Sequence, residues 1–341
     1  MKETRRLNVG VLGAGRIGRV HAENLAYRIP EARVEAIADV IVEPAQKLAS
    51  DLGITNVFQD PRAILENKDI DAIIICSSTD THAQLMDDAA ANGKHIFCEK
   101  PIALDLAKID RALAAVEKAG VKLQIGFNRR FDPSFKRVRD LVASGELGEP
   151  HILRITSRDP APPPIAYVQV SGGIFLDMTI HDFDMARYLM GSEVEEVYAA
   201  ANVLVEPEIG KAGDVDTAVI TLRFANGALG VIDNSRKAVY GYDQRVEVFG
   251  SKGVAIAENK TPDSVVKSDT AGVHAALPLH FFVERYAEAY VQEMRAFVQA
   301  VLEDRTPPVT GLDGRVPVVI GYAAKKSAEE NRPVRLSEID R

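Results

Sequence analysis

The chain has 341 residues, about two domains at roughly 150 residues each, so a single small module is excluded. Hydrophobic residues make up 46% and charged residues 26%, an ordinary globular balance that excludes intrinsic disorder. With 41 Lys plus Arg against 49 Asp plus Glu, the net charge of −8 argues against a function built on neutralising nucleic-acid phosphates or anionic lipid.

The N-terminal stretch Met1 to Asn8 is charged and has no apolar run of the secretory kind. From residue 7 to about 127, short β-branched runs alternate with helical patterns, the signature of βαβ units and a mostly parallel sheet. Strands are expected over 7–12, 34–40, 72–76, 95–98 and 122–127. Helices are expected over 17–27, 44–52, 82–92 and 106–119, the last two stopping at Gly93 and Gly120 as helix C-termini commonly do. The runs at 72–76 and 121–125 are continuously apolar, as in strands covered on both faces. Cys76 and Cys98 are the only cysteines and each closes such a run, which excludes a disulfide framework or a cysteine-rich metal site.

Beyond residue 127 the pattern changes. A helix over 133–143 leads into strand candidates at 151–157, 194–203, 216–224, 228–233, 245–249 and 254–258. Ala225-Asn226-Gly227 and Gly250-Ser251-Lys252-Gly253 read as hairpin turns, so this half should carry an antiparallel or mixed sheet. The Pro-rich run 160–165 reads as a loop, and helices over 281–303 and 315–331 close the chain. No stretch reaches the roughly 18 apolar residues of a membrane span, and a cytoplasmic protein is expected.

Gly13-Ala14-Gly15-Arg16-Ile17-Gly18 fits G-x-G-x-x-G. The string recurs by chance in unrelated chains; its place carries the argument, because it leaves the first strand and opens the first helix. There glycines permit a tight turn and close backbone approach while helix N–H groups face a pyrophosphate. Asp39 ends the second strand, where a carboxylate can accept hydrogen bonds from an adenosine ribose and would repel a 2′-phosphate; Val40-Ile41-Val42 offers no Arg to welcome one, so NAD is favoured over NADP. Ser77-Ser78-Thr79-Asp80-Thr81-His82 and Cys98-Glu99-Lys100-Pro101 follow later strands at the carboxyl edge, where open α/β sheets bind ligands. The hydroxyls there are equally good helix caps. Pro101 presses Lys100 toward an extended backbone and allows a cis bond.

In Gly172-Gly173-Ile174-Phe175-Leu176-Asp177-Met178-Thr179-Ile180-His181-Asp182-Phe183-Asp184, a helix would set Asp177 and His181 at i and i+4 on one face. One carboxylate can then orient one imidazole, the minimum for general acid–base work. A metal pair is the rival reading, but no third ligand at fitting spacing is evident; a capped helix with a core histidine is the plain one.

Taken in this order and at these separations, the glycine fingerprint, Cys98-Glu99-Lys100-Pro101 and Gly172-Gly173 through Asp177, His181 and Asp182 resemble the Gfo/Idh/MocA oxidoreductases over nearly the whole chain. Ser157-Arg158-Asp159-Pro160, the stretch Asp177 to Asp184, Glu247-Val248-Phe249-Gly250 and Arg285-Tyr286-Ala287-Glu288-Ala289-Tyr290 are most similar to the branch of that family that oxidises inositol. The resemblance implies an α/β chain: an NAD-binding Rossmann domain over 1–126, then an α+β domain over 127–341 built on a large, open, mostly antiparallel sheet used for substrate and self-association, with the active site in the crevice between them. It implies Lys100, Asp177 and His181 as catalytic residues, and Gly13, Gly15, Arg16, Ile17, Gly18, Asp39, Ser77, Thr79, His82, Glu99 and Lys100 around NAD, with Thr79, His82 and Glu99 near the nicotinamide. Arg130, Asp159 and Tyr240 would join the three catalytic residues on a polyol.

The implied reaction is oxidation of myo-inositol at a secondary hydroxyl to the 2-keto product. His181 would be the base, oriented by Asp177, with Lys100 as hydrogen-bond donor to the reacting oxygen and no metal. The assembly implied is a homo-oligomer, a tetramer before a dimer, with neither nucleic acid nor membrane as partner. The rivals are a scyllo-inositol or aldose/keto-sugar dehydrogenase of the same family, a non-catalytic dinucleotide sensor, and a metal-dependent hydrolase using Asp177 and His181.

Overall fold

A computed structural model describes residues 5–340, so the first four residues of the charged N-terminal stretch lie outside it. The chain forms two compact units: one runs through Asn128 and is joined by Glu288–Val316, the other comprises Arg129–Ala287 and the chain from Pro317 on. A split at 126/127 leaves residues 288–316 with the second half. Packing moves them to the first, because Met294, Phe297 and Val298 enter one buried cluster with Val9, Ile74 and Phe97. Chain order carries no sign of that return.

In the first unit, β1 (Leu7–Leu12), β2 (Ala32–Ala38), β3 (Asn56–Phe58), β4 (Ala72–Ile75), β5 (His95–Glu99) and β6 (Leu123–Gly126) form one parallel sheet in the order β3-β2-β1-β4-β5-β6. All four residues of β4 are buried, as a continuously apolar strand between two helical layers should be. The order reverses between β1 and β4, and a parallel sheet opens a ligand crevice at the carboxyl ends of such neighbours. The loops that leave β1, β4 and β5 there carry the glycine fingerprint, Ser77 to His82 and Glu99-Lys100. Gly120, at φ +66°, closes the helix Leu106–Ala119 in the left-handed conformation that glycine tolerates. The three-residue β3 and the one-turn helix Arg62–Leu65 are additions to the elements expected from sequence.

In the second unit, β7 (Pro150–Arg158), β8 (Val194–Asn202), β9 (Thr217–Phe224), β10 (Leu229–Ser235), β11 (Asp243–Gly250), β12 (Gly253–Ala257) and β15 (Val334–Arg335) form a mixed sheet in the order β12-β11-β7-β10-β9-β8-β15. Only β7 and β10 pair in parallel; every other neighbouring pair is antiparallel. Both expected hairpin turns join antiparallel neighbours, β9 to β10 and β11 to β12. Along β9, Ala218, Ile220, Leu222 and Phe224 are buried while Val219 between them is 50% exposed, so one face is covered and the other open. A separate exposed hairpin, β13 (Val266–Asp269) with β14 (Gly272–Ala275), lacks the burial pattern by which strands are read, and sequence reasoning missed it.

Two helices expected as continuous are broken. The C-terminal one divides into Phe282–Arg285 and Ala287–Leu302, at the border between the two units. The Gly172-to-Asp184 stretch divides into Gly173–Asp177 and Ile180–Met190. There the Thr179 N–H bonds back to the Ile174 carbonyl, five residues away, and the His181 N–H to that of Met178, three away. The turn is first widened and then tightened, so Asp177 and His181 are near, but not on, ideal i and i+4 positions.

Candidate active site

The first unit carries the glycine turn expected to receive a pyrophosphate. Gly13 has φ +104°, and a Cβ there would lie 2.6 Å from the carbonyl carbon of Cys76, so the fold itself demands glycine. A Cβ on Gly18 would lie 1.9 Å from the Gly13 oxygen, which makes this glycine the price of seating the helix Arg16–Arg28 against the turn. Gly15 differs: its φ is an ordinary −68°, and a Cβ there would meet nothing within 4 Å. Its missing side chain leaves open space at a helix N-terminus that no side chain caps, where unpaired N–H groups favour an anion. Arg16 is exposed beside it and Ile17 half-buried.

Asp39 turns both carboxylate oxygens to backbone, accepting from the Ala14 N–H at 2.7 Å and the Ile41 N–H at 2.9 Å. It thus braces the glycine turn from the end of β2. Beyond it Val40 and Ile41 are 75% and 61% exposed, an apolar surface suited to a flat aromatic base.

The Ser77-to-His82 loop is built differently from the capping pattern that its hydroxyls suggest. The helix Thr79–Ala91 has no side-chain cap; Ser77 and Thr81 pair their hydroxyls at 2.7 Å instead. Thr79 opens the helix and is half-buried. His82 is buried, with Nδ1 2.9 Å from the Pro101 carbonyl and Nε2 3.0 Å from that of Ser77. Both ring nitrogens are therefore used inside the unit, and His82 ties the two ligand-edge loops together. Lys100 leaves β5 into a cis bond with Pro101, and its predecessor Glu99 accepts at Oε1 from His21 at 2.7 Å.

The second unit carries the Asp177 and His181 pair expected from sequence. Gly172 and Gly173 have φ of +89° and +78°, and a Cβ on Gly173 would lie 2.6 Å from Oδ1 of Asp214. Asp214 accepts from the Ile174 N–H at 3.1 and 3.0 Å, so the glycine pair lets this carboxylate hold the start of the segment that presents Asp177. Asp177 accepts from the Tyr167 hydroxyl at 2.8 Å on one oxygen and from Nη2 of Arg236 at 3.1 Å on the other. Nη1 of the buried Arg236 reaches Asp159 at 3.3 Å. One guanidinium therefore spans two carboxylates.

The charges answer to this arrangement. Burial pushes the Asp159 carboxyl up to about 6 against the pull of Arg236, and the neighbouring charge of Asp177 adds to the rise. Burial opposes the Arg236 charge, but Asp177 and Asp159 hold the guanidinium above its ordinary value. Burial and then the Asp177 charge push the Tyr167 phenol up, so it stays a donor. Around His181, the neighbouring Asp182 is fully buried, paired with Arg129 at 2.6 Å and with the Asn234 amide at 2.9 Å, while the Thr179 hydroxyl donates to Asn234 at 2.6 Å. The chain on both sides of the imidazole is thereby fixed to β10.

Two residues expected on substrate are engaged within the fold. Arg130 grips Asp184 through Nε and Nη2, at 2.9 and 2.6 Å, and lies over the Tyr188 ring. The Tyr240 hydroxyl donates to Asp243 at 2.6 Å and accepts from Arg158 at 3.0 Å. Conversely, Arg236 and Tyr167 escaped sequence reasoning. Neither sits in a motif; only the parallel pairing of Ser235 with Arg158 shows that the ends of β10 and β7 bring Arg236 beside Asp159.

Family models describe both parts of the chain: an oxidoreductase family with an NAD-binding Rossmann fold matches residues 7–127, and a GFO/IDH/MocA C-terminal domain matches residues 135–256. The chain is 54% identical to a myo-inositol 2-dehydrogenase of Thermotoga maritima, covering 98% of this chain and 99% of that protein. It is 46% identical to an inositol 2-dehydrogenase of Rhizobium meliloti, over 96% of this chain and 98% of the relative. Among solved structures, a scyllo-inositol dehydrogenase from Lactobacillus casei with bound NAD(H) and scyllo-inositol superposes with a TM-score of 0.91 at 31% identity, covering 98% of this chain and all of that one.

Proposed function

The chain belongs to the Gfo/Idh/MocA oxidoreductases, and on that premise we propose that it oxidises the C2 hydroxyl of myo-inositol to a ketone with NAD as hydride acceptor. The observation that carries the substrate is the 54% identity with a myo-inositol 2-dehydrogenase over 98% of the chain. The cofactor fits the residues present: the open space at Gly15, the uncapped helix N-terminus and the Asp39 carboxylate suit a pyrophosphate and a ribose. NAD, when bound, supplies the oxidising chemistry by accepting a hydride at the nicotinamide.

The protein's own groups do the rest. Gly13, Gly15, Arg16, Ile17 and Gly18 receive the pyrophosphate and Asp39 the adenosine ribose, while Thr79, His82 and Glu99 border the nicotinamide end, with Ser77 also on the cofactor. His181 takes the hydroxyl proton as general base, and Asp177 orients it and stabilises its charged form. Lys100 donates a hydrogen bond to the same oxygen, offsetting the negative charge that grows as hydride leaves. Arg236 and Tyr167 hold the Asp177 carboxylate at one setting, so they act through it as positioning residues. Asp159 offers a further polar group to the remaining hydroxyls, where each buried group left unpaired would lower affinity.

The enzyme works in the cytoplasm as a homotetramer that pairs open sheet faces. Support for the pairing comes from Ile152, Val219, Leu229, Phe249, Val254 and Ile256, all between 37% and 52% exposed on strands of the second unit. Support for a reducing compartment comes from the two free thiols.

The test is turnover with NAD and a panel of cyclitols and aldoses, followed by absorbance of the reduced cofactor. The expected result is highest kcat/KM with myo-inositol and a loss of about 10²- to 10⁴-fold in His181→Ala. Preference for an aldose or for scyllo-inositol would overturn the substrate, and an unchanged rate in His181→Ala would overturn the mechanism.

A further inference from the structure

The first unit encloses a polar cluster that the reaction above does not use. His21, on the helix Arg16–Arg28, is fully buried, and its Nε2 lies 2.7 Å from Oε1 of Glu99 at the end of β5. Glu293, on the helix Ala287–Leu302, is also fully buried, and neither of its carboxyl oxygens has a hydrogen-bond partner. One oxygen or nitrogen from each of the three lies within 4.8 Å of the others. The rings of Phe97 and Tyr290 stand edge-on to His21 at 4.9 and 5.7 Å.

The other titratable groups facing it are Cys76 at the end of β4 and Cys98 on β5, whose thiols are pushed well up by burial and by the Glu99 charge. From β6, Gln124 donates its amide to the Glu293 backbone carbonyl at 2.8 Å. None of these brings a cation, and one imidazole cannot offset two carboxylates.

A shared metal ion is one way to balance the pair. However, a histidine nitrogen and a carboxylate oxygen bound to one zinc stand roughly 3.3 Å apart in tetrahedral geometry, whereas the 2.7 Å between His21 and Glu99 is a hydrogen-bond distance. That distance fits a charge balance by a proton.

We propose that Glu293 is a neutral carboxylic acid, the proton-holding member of a buried His21–Glu99–Glu293 triad that fixes the Glu99 carboxylate immediately before Lys100. Burial and then the Glu99 charge push the Glu293 carboxyl well above the usual range, in keeping with that geometry. An ordered water between the two carboxyls would satisfy the oxygens left without partners. Glu293 is thus a positioning residue for the Glu99-Lys100 step. That consequence rests on the role proposed for Lys100, whereas the protonation itself can be read without turnover.

The test compares the intact wild-type protein with Glu293→Gln in two measurements. A glutamate that is neutral when folded and ionised when unfolded costs stability as pH rises. In urea titrations between pH 5 and 8, the wild-type folding equilibrium should therefore fall by up to about tenfold per pH unit relative to the variant. The infrared C=O stretch of a protonated carboxyl should persist in the wild type at pH 8 and vanish in Glu293→Gln. A constant or opposite stability trend, no acid band in the wild type, or a stoichiometric bound metal overturns the proposal. Should Glu293→Gln fail to fold, Glu99→Gln decides: the wild-type acid band shifts if Glu293 faces Glu99, and an unshifted band contradicts the triad.

Discussion

Replacing Gly15 with alanine should leave the empty protein nearly as stable as before while weakening NAD. The backbone at Gly15 has an ordinary φ of −68°, and the added methyl would meet no protein atom within 4 Å. Alanine is a poorer N-cap than glycine by about 0.5–1 kcal/mol, but it also narrows the unfolded ensemble, worth about 0.4–1 kcal/mol. The two nearly cancel, and the thermal midpoint without ligand should move by no more than about 3 °C. With NAD the methyl occupies the space into which the pyrophosphate comes; overpacking of that size costs about 1–3 kcal/mol, so Kd should rise roughly 5- to 150-fold. Gly13→Ala is the control of opposite kind. Its φ of +104° and the 2.6 Å approach to Cys76 should cost the empty fold about 2–5 kcal/mol and more than about 5 °C. Differential scanning fluorimetry without NAD, and calorimetric titration with it, separate the two. Wild-type NAD affinity in Gly15→Ala, or a midpoint loss matching that of Gly13→Ala, would refute the cradle.

Three further outcomes follow from the second unit. Tyr167 is 48% exposed, so Tyr167→Phe should fold normally and lose only its bond to Asp177, lowering kcat about five- to tenfold; an unchanged kcat would remove Tyr167 from the positioning of Asp177. Asp159 titrates near 6 when folded against 3.8 ordinarily, so its ionisation costs the wild type stability as pH rises through that window. Relative to Asp159→Asn, the wild type should lose about 3 kcal/mol between roughly pH 3.5 and 6.5 in urea titrations, and a flat difference would contradict the raised value. Arg130→Ala leaves the buried Asp184 charge without its main partner and should destabilise the second unit by about 3–5 kcal/mol without any substrate present; an unchanged thermal midpoint with a raised KM would instead place Arg130 on the polyol.

What the sequence discloses depends on how local the cause is. β1, Leu106–Ala119 and Pro133–Ala143 lie where the apolar periodicity and their terminal Gly, Asp and Pro residues put them, because caps and periodic burial are written within a dozen residues. The glycine fingerprint is legible as a turn, but only the structure separates Gly13 and Gly18, required by packing, from Gly15, which the packing does not require. The return of Glu288–Val316 to the first unit, the His21–Glu99–Glu293 cluster and the Arg236 bridge join residues far apart in the chain that no spacing connects. Asp177 and His181 stand between the two cases: their spacing names the pair, while the Thr179-to-Ile174 bond that widens the intervening turn depends on tertiary contacts, including the Thr179 hydroxyl bond to Asn234.

The central step is one transfer, the hydride from C2 of myo-inositol to NAD. Incubating the purified protein with NAD and myo-inositol deuterated at C2, then analysing both products by mass spectrometry, tests it directly. The predicted result is one deuterium in each reduced nicotinamide and an equal amount of the 2-keto product without it. Reduced cofactor free of deuterium, or no reduction at all with this substrate, would contradict the account.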